Sequence, residues 1–229
     1  MNLALHPDFH LQKLTIGSEQ APLIVIDNLA ENAEGLVALA AGKPFGDVTS
    51  HYPGVRAKVP LTYQRFIIEH LGGVIAEYFG LSAGTVRFTN CHFSLLVTPP
   101  EKLDFLQRIP HIDSVLNDEL AFIHYLFKSR LGGTAFYRHR ASGFEYVDET
   151  RKSEYWRRVE EEKDGPHSPP PEYIDGDTPL YEQIGRQEGV FNRMLVYRRT
   201  SLHSPAIAPG LVMDTNPRTG RLSINGFLA

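Results

Sequence analysis

The hydrophobic period switches after residue 80 of this chain, and that switch limits what it can fold into. From Thr62 to Phe79 the residues Phe66, Ile67, Leu71, Val74, Ile75 and Tyr78 recur at helical spacing, which predicts an amphipathic helix. Gly80 follows, the residue that suits a helix end. From Thr85 to Val97 the chain alternates instead. Val86, Phe88, Asn90, His92 and Ser94 share one face, and Arg87, Thr89, Cys91, Phe93 and Leu95 the other. That period predicts a long strand, closed by Pro99-Pro100. Before the switch, Leu23 to Asp27 predicts a strand. Asn28 caps an expected helix from Leu29 to Ala40 with Leu36, Val37 and Leu39 on its apolar side. The Pro/Gly-rich stretch Gly42 to Pro60 reads as loop. After the switch, strands are expected at Leu120–Phe127, at Thr134–His139 beyond the Gly132-Gly133 turn, at Phe191–Tyr197 and at Leu202–Ser204. A hairpin joins Leu211–Asp214 to Gly220–Leu228. Thr150 to Lys163 is a charged helix with Glu and Arg three and four apart, Pro166 to Pro171 is loop, and Tyr181 to Glu188 forms a helical turn. Helices first and strands later define an α+β arrangement around a mostly antiparallel sheet.

The 229 residues suit one domain, with residues 1–84 as a helical support region and 85–229 as a β core interrupted by an insertion at 142–187. Thirteen Phe and ten Tyr favour a pleated, half-buried surface. A net charge of −4 excludes a global basic field, so no nucleic-acid partner is expected. Cys91 is the single cysteine, which rules out an intrachain disulfide and fits a reducing, cytoplasmic setting. Met1 to Gln12 shows no basic and apolar leader pattern. No apolar run approaches the roughly 20 residues of a membrane helix, and the chain is expected to be soluble.

His111-Ile112-Asp113 offers an imidazole and a carboxylate on one side of an extended chain, because side chains at i and i+2 point the same way. His203, far downstream and just past an expected strand, supplies a second imidazole. Two imidazoles and one carboxylate are the ligand set of a mononuclear Fe(II) site with open coordination positions. The same three also suit catalytic zinc, whereas a closed structural zinc site would need cysteines this chain lacks. Arg221 and Ser223 share one strand face after His203. A guanidinium there can grip a carboxylate with two parallel hydrogen bonds. Arg218 is its rival, though it sits in a proline-containing turn, and an edge-strand ion pair is the plainer role for Arg221.

In order along the chain, Pro110-His111-Ile112-Asp113, Phe122-Ile123-His124-Tyr125-Leu126, Gly132-Gly133-Thr134, Asn192 to Tyr197 with Leu202-His203-Ser204, and Gly220-Arg221-Leu222-Ser223-Ile224 resemble the strands of the 2-oxoglutarate/Fe(II)-dependent oxygenases, most closely the prolyl-hydroxylase-like branch. The resemblance covers roughly residues 85 to 229. It implies a double-stranded β-helix, the cupin-like jelly-roll, with supporting N-terminal helices. It implies iron on His111, Asp113 and His203, and the far carboxylate of 2-oxoglutarate on Arg221 with Ser223 and Tyr125 assisting. O₂ would be the oxidant, and a peptide, an amino acid or a small metabolite the substrate. The gap from His203 to Arg221 is longer than in that branch, an extra length carried by Pro205 to Gly210 and a fuller hairpin. Two other readings stay open: a non-catalytic cupin-like protein that binds a metal or small acid, and a zinc hydrolase.

The remaining candidates have plainer roles beside the functional ones. Tyr125 is equally a core aromatic with a satisfied hydroxyl. His124 points away from Tyr125 and is expected to be packed. Asn90 and His92 line the pocket or form a core pair. His139 and Arg140 follow a strand and are candidates for substrate contact. Trp156 is read as a packing anchor, and Glu160-Glu161-Glu162 as a solvated helix face.

Overall fold

A computed structural model describes residues 3–47, 52–208 and 210–229. The order is β1 (His10–Ile16), β2 (Ala21–Asp27), α1 (Ala33–Ala41), β3 (Gly46–Asp47), β4 (Gly54–Lys58), α2 (Leu61–Phe79), β5 (Phe88–Leu96), β6 (Leu120–Tyr125), β7 (Gly133–His139), α3 (Lys152–Lys163), β8 (Tyr181–Glu188), β9 (Met194–Arg198), β10 (His203–Ala206) and β11 (Leu222–Leu228). The strands form two antiparallel sheets. The larger runs β1-β2-β9-β6-β11-β5-β4-β3 and the smaller β10-β7-β8. From β5 onward the chain passes repeatedly between them, and an isolated bridge between His111 and His203 extends the smaller sheet beyond β10. No helix among the described residues is long and apolar enough to cross a membrane.

Strand alternation divides the apolar residues into layers. One face of the large sheet carries Ile24, Ile26, Phe122, Met194, Val196, Leu222 and Ile224, which pack under α1 and α2. Its other face carries Leu23, Val25, Ala121, Ile123, Tyr125, Leu195 and Tyr197, which meet Phe136 and Ile184 of the small sheet. The far side of the small sheet, through Ala135, Tyr137 and Tyr181, packs against Tyr155 and Val159 of α3. The result is a β-sandwich with helices outside both sheets. In β5 the expected faces are offset by one residue. The pairing with β11 shifts at Thr89, so Phe88 joins Cys91 and Phe93 in the helix-covered core.

Several elements differ from expectation. The first 84 residues contain β1 to β4 as well as helices. Within the stretch read as loop, β3 and β4 form a hairpin; residues 48–51 of that stretch lie outside the described residues. Tyr181–Glu188 is a strand, not a helical turn, so the insertion ends before it and spans α3 and its flanking loops. No strand forms at 211–214: β11 pairs with β5 and β6 instead of a local hairpin partner. Pro209, within the Pro205 to Gly210 loop, lies outside the described residues, and Pro205 and Ala206 belong to β10.

Helix α1 starts later than predicted, capped by Asn32, whose side chain accepts from the Gly35 amide at 2.9 Å. The cause is local. Asn28 takes a left-handed turn at φ 52, and the Asn192 side chain holds Ala30 by accepting from its amide at 3.1 Å and donating to its carbonyl at 2.9 Å. That clamp keeps the segment out of the helix.

Asn192 Oδ1 also accepts from His124 Nε2 at 3.1 Å, which leaves Nδ1 to accept from the Tyr63 hydroxyl at 3.0 Å. His124 is fully buried, as expected of a packed residue. Burial pushes its pKa down from 6.5 to about 4, with the Asn192 hydrogen bond opposing. The folded state therefore favours the neutral ring. Between pH 6.5 and 4 the unfolded chain binds a proton that the folded chain does not. The stability this site contributes is full above pH 6.5 and is lost as pH falls through that window, by about 3 kcal/mol in all. Between pH 7 and 5 the melting temperature should fall by roughly 4–8 °C, and His124→Gln should flatten that slope. An equal slope in the variant would assign the pH dependence to other groups.

Candidate metal centre

Between the two sheets lies a cavity of about 580 Å³. β11 builds much of its floor by alternation. Arg221, at the strand's entrance, and Asn225 and Phe227 line the cavity, while Leu222, Ile224 and Leu228 face the helix-covered core. Asn90, Ala121, Ile123 and Tyr197 come from neighbouring strands, and Thr134, His203 and Pro205 from the small sheet.

The His111 segment closes the cavity. The His111 amide donates to the His203 carbonyl at 2.9 Å and the His203 amide donates back at 3.0 Å. This pair sets the two imidazoles side by side, with ring centroids 4.3 Å apart. The Asp113 amide donates to the Arg199 carbonyl at 2.9 Å, which turns the carboxylate toward the same point. Asp113 Oδ2 lies 3.5 Å from His203 Nε2, and Oδ1 lies 4.0 Å from His111 Nε2. One donor atom from each of the three falls within 4.8 Å of the others.

The donor chemistry fits a divalent cation. His203 Nδ1 donates to the Ser201 carbonyl at 2.9 Å, which fixes the tautomer and leaves the Nε2 lone pair facing Asp113; a backbone carbonyl of this kind is a usual partner of a ligating histidine. Tyr197 stacks edge-on against His203 at 4.8 Å, and burial holds its hydroxyl pKa well above the ordinary value.

Arg221 is 4% exposed. Its Nε donates to the Leu131 carbonyl at 3.0 Å and its Nη2 to the Gly133 carbonyl at 2.7 Å. Its guanidinium lies 5.9 Å from the Tyr125 ring centre and 5.5 Å from that of Phe127. The Gly132-Gly133 turn makes this possible. Gly132 has φ 84, and a Cβ there would sit 1.9 Å from the Ala206 carbonyl oxygen. Arg218 is exposed in its turn, outside the cavity wall.

The other candidates separate clearly. Tyr125 is fully buried behind Thr134, its hydroxyl 2.6 Å from Thr134 Oγ1. Burial raises its pKa while Arg221 opposes the shift. Thr134, not Tyr125, reaches the cavity. Ser223 is buried too, and donates to Asn225 Oδ1 at 2.6 Å, so Asn225 is the strand's polar group in the cavity wall. Asn90 lines the cavity; His92 does not. His139 is fully buried and bonds Ser142 at 2.8 Å and Glu162 at 2.9 Å. It holds α3 to the sheet, and Arg140 is exposed beside Asp177. Neither lines the cavity, and Glu162 departs from the solvated face expected of the glutamate run. Trp156, read as a packing anchor, stands on the cavity rim at 41% exposure and packs on Tyr155 at 5.2 Å.

Two arginines escaped the sequence reading. Arg199 Nη2 donates to the Asp113 carbonyl at 2.7 Å, Nη1 pairs with Glu119 at 2.6 Å, and the guanidinium lies 4.0 Å from the Phe227 ring centre. No sequence signal marks it. Arg56 lines the cavity from β4. Its strand was legible in principle, since Val55, Ala57 and Val59 alternate with Arg56 and Lys58.

Several solved structures share this fold. SnoN, a non-haem α-ketoglutarate-dependent epimerase from nogalamycin biosynthesis, matches with a TM-score of 0.50 and 13% identity over 92% of this chain and 78% of its own. HygX from Streptomyces hygroscopicus, solved with nickel and 2-oxoglutarate bound, matches with a TM-score of 0.53 and 12% identity over 92% of this chain and 84% of its own. At such identities the likeness is one of architecture. No curated protein sequence matches the chain. Residues 7–228 match the family described as DUF6445, a family of unknown function, and the protein belongs to that family.

Proposed function

We propose that the protein is an Fe(II)- and 2-oxoglutarate-dependent oxygenase of the prolyl-hydroxylase-like branch, built on a double-stranded β-helix and hydroxylating a small molecule. The observation that carries this reading is the convergence of His111, Asp113 and His203 within 4.8 Å in the wall of the cavity that Arg221 also lines. The shared architecture with SnoN and HygX supports it. The cavity volume falls in the range of small-molecule sites, roughly 300–1,000 Å³.

His111, Asp113 and His203 would hold the iron, and two neutral imidazoles with one carboxylate leave positions for a 2-oxo acid and O₂. When bound, iron supplies the oxidative chemistry in which O₂ oxidises both 2-oxoglutarate, to succinate and CO₂, and a substrate C–H bond. The protein's own groups do the positioning. The Ser201 carbonyl keeps His203 in the ligating tautomer. Arg199 holds the Asp113 backbone. Arg221, with two of its nitrogens fixed on backbone carbonyls, presents its remaining edge to the far carboxylate of the cosubstrate beside Thr134. Tyr125 supports Thr134 from behind through its hydroxyl, and Ser223 holds Asn225. Ile112, Ile123 and Phe227 keep water from the reacting face.

Anaerobic addition of Fe(II) and then 2-oxoglutarate should produce a visible charge-transfer absorption, and admission of O₂ should yield succinate. Absorption without succinate would identify a binding protein. Activity with Zn(II) and no need for O₂ would identify a hydrolase.

Arg199→Ala should weaken Fe(II) binding about 10–100-fold, the usual effect of losing a group that orients a ligand. Calorimetric titration of the metal measures it. Wild-type affinity in the variant would leave Arg199 as a structural residue only.

A further inference from the structure

The cavity holds a second guanidinium that the proposed oxygenase chemistry does not use. Arg56 Nε is buried and has no hydrogen-bond partner among the described residues. Buried N–H donors are nearly always paired. Arg56 makes no ion pair among the described residues either; its guanidinium lies 4.6 Å from the Tyr52 ring centre. Register sets its backbone apart from that of Arg221. Arg56 pairs with Ser94, and Ser94 with Ser223, so its backbone stands two strands away, roughly 10 Å, from the strand that Arg221 enters.

The charge balance points the same way. Arg56, Arg221 and Asp113 are the charged side chains of the described cavity wall, two positive and one negative. A divalent cation and a dicarboxylate cancel each other, which leaves one positive charge in a partly enclosed site. Charges removed from water are normally paired. The same cavity wall carries apolar surface from Ile112, Phe227 and Trp156.

We infer that Arg56 is the receptor for a carboxylate on the primary substrate, which is therefore a small monoanionic acid with an apolar body; the inference rests on the oxygenase reading of the same cavity. The Nε edge of Arg56 donates two parallel hydrogen bonds to the carboxylate, as guanidinium geometry favours, and the substrate body extends toward the rim at Trp156.

The probe is benzoate, with benzamide as its neutral isostere, titrated by calorimetry into protein loaded with Ni(II) and 2-oxoglutarate. Benzoate should bind saturably and benzamide at least about tenfold more weakly. Arg56→Gln should weaken benzoate about tenfold or more while leaving 2-oxoglutarate affinity within about twofold; Arg221→Gln should do the reverse. No saturable benzoate binding, equal binding of benzoate and benzamide, or unchanged benzoate binding in Arg56→Gln would overturn the proposal. Loss of 2-oxoglutarate affinity in Arg56→Gln would also overturn it, by making Arg56 part of the cosubstrate anchor. Tighter binding of phenyl phosphate than of benzoate would overturn the carboxylate assignment. If the wild type takes neither nickel nor 2-oxoglutarate, the oxygenase reading fails separately. The same titration of the metal-free protein then decides the matter, since a benzoate site lost in Arg56→Gln but kept in Arg221→Gln still belongs to Arg56. Should Arg56→Gln not fold, a crystal of the wild type soaked with benzoate must place the carboxylate on Arg56 Nε; any other location refutes the inference.

Discussion

Replacing Asp113 with alanine is expected to abolish Fe(II)-dependent succinate formation and to lower metal affinity by well over 100-fold, beyond the roughly 10–100-fold that follows from losing an outer partner of a ligand. The fold should survive. The Asp113 side chain is partly exposed and its acidic oxygens face the two histidines, at 3.5 and 4.0 Å. The contacts that place the segment, from the Asp113 amide to Arg199 and from Arg199 to the Asp113 carbonyl, belong to the backbone and persist in alanine. Metal titration beside a thermal melt separates the two effects. Retained turnover in a folded variant would dismiss this ligand set.

Arg221→Gln should act on the cosubstrate instead. Truncating one partner of a buried, hydrogen-bonded charge pair costs about 2–5 kcal/mol, so KM for 2-oxoglutarate should rise at least about 30-fold with Fe(II) affinity nearly unchanged. A stability loss should accompany it, because the Leu131 and Gly133 carbonyls lose their guanidinium donors, at about 1–3 kcal/mol for each acceptor left unsatisfied. An unchanged KM in the steady-state assay would move the anchor to Arg56.

Much of the architecture was legible because its segments are long and strongly periodic. Helix α2 ends at Gly80 as its pattern predicts, and β5, β6, β7 and β9 arise where alternation or apolar runs mark them. What escaped was set by tertiary context. Tyr181 to Glu188 carries Glu, Gln and Arg and forms an edge strand with both faces half-buried, so neither period stands out. β1, with exposed His10, Gln12 and Lys13, is an edge strand of the same kind. The expected hairpin failed because β11 is claimed by β5 and β6, distant in sequence and central in the sheet. At the candidate centre, the spacing of His111 and Asp113 shows in the sequence, whereas the approach of His203 depends on one pair of backbone hydrogen bonds. Arg56 sits on a short strand inside a Pro/Gly-rich stretch, and Arg199 acts through a carbonyl contact, so neither carries a motif.

The insertion between β7 and β8 contributes a single residue, Trp156, to the described cavity wall, while the metal and cosubstrate candidates all come from elsewhere. Its helix is moored to the sheet by the His139–Glu162 contact. Such a division of labour makes the rim an exchangeable cassette: relatives that kept the mooring and varied the helix face would acquire new selectivity without disturbing the reactive machinery, and an engineer could graft there for the same reason.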